Sequence, residues 1–103
     1  MHVPIKSTQD LGLVIRATRR SQNVRQDDVS GSAGVGHVFT REVEHGKETV
    51  QLGRVMRLLD ELGISLILDM PPEAADELAS LRKTGLRPIK RRAGNASAQT
   101  DKD

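Results

Sequence analysis

Residues 25–47 read Arg25-Gln26-Asp27-Asp28-Val29-Ser30-Gly31-Ser32-Ala33-Gly34-Val35-Gly36-His37-Val38-Phe39-Thr40-Arg41-Glu42-Val43-Glu44-His45-Gly46-Lys47. Val29 and Ala33 stand four apart, on one side of a short helix expected over Gln26–Ala33. Gly31, Gly34 and Gly36 crowd the residues around its end. Gly costs about 1 kcal/mol relative to Ala inside a helix, so the cluster marks a tight turn. Helical spacing resumes from His37 to His45, with Phe39 and Val43 four apart, and Gly46 suits the position just past a helix end. Two short helices joined by a glycine-bearing turn are the frame of a helix-turn-helix, whose second helix enters the major groove of DNA.

Each residue type in this frame has a mechanical reason. Ala33 is small enough for two helices to cross closely, and Gly34 can take the positive φ that redirects the chain. Val35, Phe39 and Val43 are expected to hold the second helix against the body, leaving His37, Val38 and Arg41 outward. Gln26, at the start of the first helix, can donate to a phosphate beside the backbone N–H groups of that terminus.

Working outward, Ser7 or Thr8 can cap an earlier helix, with Asp10 in its first turn to meet the dipole. Leu11, Val14, Ile15 and Thr18 line one face, Arg16, Arg19 and Arg20 fall mostly outside, and Gln22-Asn23 ends it. On the other side, Thr49 is expected to open a helix carrying Leu52, Val55, Met56, Leu59 and Leu62 as a core stripe, closed by Gly63. Ile64-Ser65-Leu66-Ile67-Leu68 is too short for another helix before Pro71-Pro72 and reads as a strand. A lone strand leaves its backbone groups unpaired, and the simplest remedy is the same strand of a second copy across a two-fold axis. The alternative is an extended loop packed over the core. Glu73 to Lys83 suits a short helix, and from Thr84 onward Gly, Pro, Ser, Asn and charged residues predict a disordered basic tail. These features divide the chain into a domain over residues 1–70 and a short helix with tail over 71–103.

Composition bounds what such a chain can do. It has 103 residues, enough for one ordinary domain, and 36% are hydrophobic, so the core is small or completed by a partner. One Phe with no Tyr or Trp argues against a stacking platform for single-stranded nucleic acid. Cys is absent, which removes disulfides, thiol nucleophiles and thiolate metal sites. His2, His37 and His45 have no ligand spacing, so no metal or other cofactor is expected. No nucleophile has a recognisable base, so no enzyme is expected. The glycines of residues 31–36 are no phosphate cradle, because no Lys-Ser or Lys-Thr pair follows and no strand precedes them. With no apolar run long enough for a membrane helix and no signal-peptide pattern, a soluble cytoplasmic protein is expected. The net charge is only +2, but Arg82, Lys83, Arg87, Lys90, Arg91 and Arg92 cluster near the end. That pattern allows a polyanion partner.

Gln26 through Gly46, followed by Lys47-Glu48-Thr49-Val50-Gln51-Leu52-Gly53, resembles the Xre/Cro helix-turn-helix class. More narrowly, Ala33-Gly34-Val35-Gly36, Phe39, Glu44-His45-Gly46-Lys47, Thr49, Leu52 and Gly53 resemble HipB-like antitoxins, over residues 8–70. The resemblance implies an all-α bundle of four to five helices, with one C-terminal β-strand pairing across a homodimer. It also implies a protein that binds and represses its own operator and binds a HipA-like serine/threonine kinase toxin. Carried over by position, base contacts fall on His37, Val38 and Arg41, and phosphate contacts on Gln26 and Lys47, with Arg25 an addition. Ile64, Leu66, Ile67 and Leu68 take the place of the dimer strand. Thr40 stands where relatives commonly carry an apolar residue.

Two other readings stay open: a free-standing Xre-type repressor with no toxin, and a protein-binding module that has lost operator recognition. Arg41 has an alternative as a surface residue paired with Glu42 or Glu44. Glu44 is expected to be structural, bonded to backbone or to a nearby arginine.

Overall fold

The computed structural model describes residues 1–85. The chain divides into two compact units, Met1–Ile67 and a second beginning at Leu68. The first contains α1 (Thr8–Ser21), α2 (Gln26–Ala33), α3 (His37–Glu44) and α4 (Leu52–Glu61), and the second a 3₁₀ turn at Pro72–Ala74 leading into α5 (Ala75–Thr84).

Local chemistry accounts for the boundaries. The Ser7 hydroxyl accepts the Asp10 N–H at 3.1 Å, while the Asp10 carboxylate accepts the Lys6 N–H at 3.0 Å, closing the start of α1 from both sides. Asn23, the one non-glycine residue at positive φ among those described, follows that helix. Gly34 ends α2 at φ 73°, and the Val35 N–H reaches back to the Ser30 carbonyl at 2.9 Å. Helix α4 starts at Leu52 rather than Thr49, because Val50 packs against the core from the extended chain ahead of it.

The core of the first unit is Ile15, Val29, Ala33, Val43, Val55, Leu58, Leu59 and Leu62, with Leu11, Val24, Val35, Phe39, Val50 and Ile64 packed around it. Helix α1 packs on α3, and α2 packs on both α3 and α4. Helices α1 and α3 approach tightly at Gly12, where a Cβ would stand 2.5 Å from the Glu44 carbonyl oxygen and 2.6 Å from that of Val43. The core stripe of α4 differs from the expected one. Leu58 is fully buried, whereas Leu52 is 65% and Met56 47% exposed. The buried set at 55, 58, 59 and 62 follows the i, i+3, i+4, i+7 rule, and the choice between overlapping stripes was made by α2, the helix it meets.

No strand forms among the described residues, and residues 64–70 run without helix or ladder. A ladder needs a second strand, which a single copy does not offer. Ile64 is partly buried and its N–H donates to the Leu59 carbonyl at 2.9 Å, finishing the end of α4. Leu66, Ile67 and Leu68 are 51%, 61% and 80% exposed. The packed-loop alternative does not describe these three exposed apolar side chains. Thr84 is the last residue of α5 rather than the first of a tail. The rest of the expected tail, with Arg87, Lys90, Arg91 and Arg92, lies outside the described residues.

Candidate nucleic-acid interface

Helix α3 is held on its inner side by buried Thr40, Val43 and Glu44, with Phe39 partly buried. The helical period then turns His37, Val38 and Arg41 outward, and all three are exposed. Arg41 makes no ion pair among the described residues, because its two acidic neighbours are taken. Lys47 pairs with Glu42 at 3.3 Å, and Arg19 pairs with Glu44 at 2.6 Å. The Arg41 carbonyl accepts from His45 Nδ1 at 2.8 Å, which places the ring proton on that nitrogen. Exposed Arg25 pairs with Asp27 at 3.3 Å. Surface pairs of this kind contribute about 0–1 kcal/mol and can be exchanged for another anion at little cost.

Gln26, expected to contact a phosphate, also has a partner within the chain. It is half-buried, and its Nε2 donates to Glu44 Oε1 at 2.9 Å, so part of its hydrogen-bonding capacity faces inward. Glu44 is the centre of this arrangement. Arg19 grips it with two parallel bonds, Nε to Oε2 at 2.6 Å and a terminal nitrogen to Oε1 at 3.0 Å. The other terminal nitrogen of Arg19 donates to the Val24 carbonyl at 3.0 Å, and Arg16 stands 3.9 Å from Oε1. Burial pushes the Glu44 carboxyl up, but hydrogen bonds from Arg19 and Gln26 and the charges of Arg19 and Arg16 outweigh it, and the net shift is downward. Its hydrogen bond to Glu44 raises Arg19 further, against an opposing effect of burial. One carboxylate on α3 thus ties down α1 and α2. Arg19, expected mostly outside, is turned in because Glu44 has no other full counter-charge beneath the surface.

A second tie joins α2 to α3. The Ser30 hydroxyl donates to the Gln26 carbonyl at 2.6 Å and lies 2.6 Å from the Thr40 hydroxyl. Both residues are buried, Ser30 at 2% and Thr40 at 0% exposure. Buried polar groups without partners are costly, and each of these satisfies the other. Sequence reading passed over Ser30 and read Thr40 only as a departure. The available signal was a hydroxyl at a core position of each of two adjacent helices.

Arg19, Arg25, Gln26, Asp27 and His37 line an open cleft at the shared edge of α1, α2 and α3. Among the described residues, no three His, Cys, Asp or Glu side chains group as a metal site. None of the described helices is long and apolar enough to cross a membrane.

No family model matches the sequence. The HTH-type transcriptional regulator y4mF of Sinorhizobium fredii, itself uncharacterized, is 44% identical over 69 residues, which is 67% of this chain and 91% of that protein. Among solved structures, the fold matches a chain of a HipA–HipB–O2–O3 complex with a TM-score of 0.63 at 17% identity, covering 67% of this chain and 97% of that one. A HipB–O4 20mer complex matches over the same shares with a TM-score of 0.62, also at 17% identity. At that identity these two show the fold, while the closer sequence match supplies the kinship: the chain belongs to the helix-turn-helix transcriptional regulators.

Proposed function

We propose that the protein is a sequence-specific DNA-binding repressor that acts as a two-fold homodimer on a palindromic operator. The carrying observation is the exposed row His37, Val38 and Arg41 on a helix whose other side is locked by buried bonds. Arg41 suits a bidentate contact with guanine and Val38 a thymine methyl. Arg25, Gln26 and Lys47 flank that row and suit phosphates. Pairing Ile64, Leu66, Ile67 and Leu68 with the same residues of a second copy would satisfy their backbone and cover their side chains. Two recognition helices would then meet successive major grooves about 34 Å apart.

The finer reading is an antitoxin that represses its own operon and binds a HipA-like kinase toxin in the cytoplasm. Its support is the fold shared with HipB, one solved form of which is in complex with HipA. In this reading residues 1–70 carry DNA binding and dimerisation, residues 71–103 are an appendage, and no cofactor or catalysis is involved. A free-standing repressor differs only in lacking the toxin, so a neighbouring reading frame encoding a kinase-like protein separates the two.

The test is footprinting on the DNA upstream of the protein's own reading frame, at two salt concentrations. Protection of a two-fold symmetric site is expected, weakening steeply with salt. Arg41→Ala should cost about 1–3 kcal/mol and relax preference at one base pair, and Lys47→Ala should lower the salt slope by about 1. Protection that is unchanged by Arg41→Ala and His37→Ala together would overturn the site. No protection at low salt would favour the protein-binding alternative.

A further inference from the structure

Gln26 is joined to the recognition helix at both of its ends. Its backbone carbonyl accepts from Ser30, which pairs with Thr40 of α3 at 2.6 Å, and its side-chain nitrogen donates to Glu44 of α3 at 2.9 Å. The orientation of the carboxamide is dictated by its partner. A carboxylate only accepts, so nitrogen must face Glu44. Nε2 carries two hydrogens, and among the described residues only one is used. Gln26 also opens α2, whose first turn has no side-chain cap, and it lines the open cleft with Arg19, Arg25 and His37.

From this geometry we propose that Glu44 is a positioning residue for DNA binding: it holds the Gln26 carboxamide by one N–H so that the other is presented to a phosphate oxygen. The proposal rests on the DNA-binding reading above and names how one of its phosphate contacts is built. An unheld glutamine must give up rotamer freedom when it meets a phosphate, whereas a held one has already given it up on folding. Arg19 completes the device, because it neutralises Glu44 with two bonds and keeps the carboxylate from repelling the backbone it serves. Phosphate anchoring and base reading are thereby linked. Glu44 belongs to the same helix as His37, Val38 and Arg41, so a phosphate held at Gln26 is held in register with the base-reading row.

The test is a double-mutant cycle on DNA affinity, using a palindromic duplex recovered with the wild-type protein from random-sequence DNA. Gln26→Ala should weaken binding about tenfold in the wild-type background, the value of a charge-assisted hydrogen bond. In a Glu44→Leu background, which keeps the bulk of the side chain but offers no acceptor, the same substitution should change affinity less than twofold, because the contact is already lost. Gln26→Ala should leave the salt slope unchanged within either background, since the lost donor carries no charge. A tenfold effect of Gln26→Ala in both backgrounds overturns the positioning role and leaves the DNA-binding reading standing. No effect in either overturns Gln26 as a contact, and with it the proposal. Failure to recover any duplex overturns the DNA-binding reading itself.

Should Glu44→Leu not fold, the wild-type protein gives an independent readout by nuclear magnetic resonance of the Gln26 side-chain amide. One hydrogen is expected to be protected from solvent exchange in the free protein, and the other to shift when the duplex is added. Equal exchange of both hydrogens in the free protein overturns the proposal.

Discussion

Two glycines inside helices should respond to alanine with opposite signs. Gly12 lies in α1, where an added Cβ would stand 2.5 Å from the Glu44 carbonyl oxygen, 2.6 Å from the Val43 oxygen and 2.8 Å from the Glu44 carbonyl carbon. Ordinary contact begins near 3.4 Å, so the Gly12→Ala protein must part α1 from the end of α3 by about 0.9 Å. All three obstructing atoms are backbone, and no side chain can swing away. Overpacking against backbone alone falls in the upper part of the usual range, about 2–3 kcal/mol, and the better helix propensity of Ala returns about 1 kcal/mol, for a net loss of about 1–2 kcal/mol. Gly31 lies in α2 with nothing within 4 Å of the same hypothetical atom. There the propensity gain stands alone, about 0.5–1 kcal/mol. The two variants should therefore differ by about 2 kcal/mol, or roughly 8–16 °C in Tm for a domain of this size. Thermal and urea unfolding followed by circular dichroism measures both. If Gly12→Ala melts at or above the wild-type temperature, the close approach of α1 to α3 is misplaced, and the geometry around Glu44 with it.

Four further outcomes follow from the buried bonds and the core. Arg19→Met leaves Glu44 buried without its main partner, and should cost about 3–5 kcal/mol at neutral pH in urea unfolding. Because the folded protein holds the Glu44 carboxyl below its ordinary value, its contribution is fully present above the usual carboxylate range and lost as pH falls through the folded value. The Glu44→Gln variant should accordingly show a flatter fall of stability between neutral and acidic pH, and a profile parallel to wild type would refute the shift. Thr40→Val deprives Ser30 of a partner but leaves its bond to the Gln26 carbonyl, so a loss of about 1 kcal/mol is expected by calorimetry. Leu58→Ala empties a site with 0% exposure and should cost about 2–5 kcal/mol, whereas Met56→Ala, at 47% exposure, should cost the single domain far less.

Much of the frame was legible because it rests on local chemistry. Gly34 and Gly46 announce turns that need positive φ, and both adopt it, at 73° and 85°. Ser7 and Asp10 form a cap that involves only neighbours in sequence. The α4 face was harder, since Leu52, Val55, Met56, Leu58, Leu59 and Leu62 contain two overlapping helical stripes, and the helix opposite decides between them. The bonds that organise the candidate site were legible only in part: Glu44 reads as bonded to backbone or to a nearby arginine, but which arginine it meets, and its bond to Gln26, do not show in the sequence. Arg19 and Gln26 meet Glu44 across 25 and 18 residues of chain, and no local spacing encodes such a meeting. Thr40 and Ser30 read as ordinary polar residues until the crossing of α2 and α3 brings them together. For residues 64–68, alternation and length describe a segment able to pair, but pairing belongs to an assembly and leaves no trace in one copy.

The Arg19–Glu44 link also constrains how the protein can drift over generations. Replacing either member alone passes through a form with an orphaned ion beneath the surface, so single-step routes away from this combination are steep. Related chains should keep both or exchange both together. Position 26 should be freer to vary wherever that exchange has occurred, because a glutamine there would no longer have a fixed acceptor to lean on.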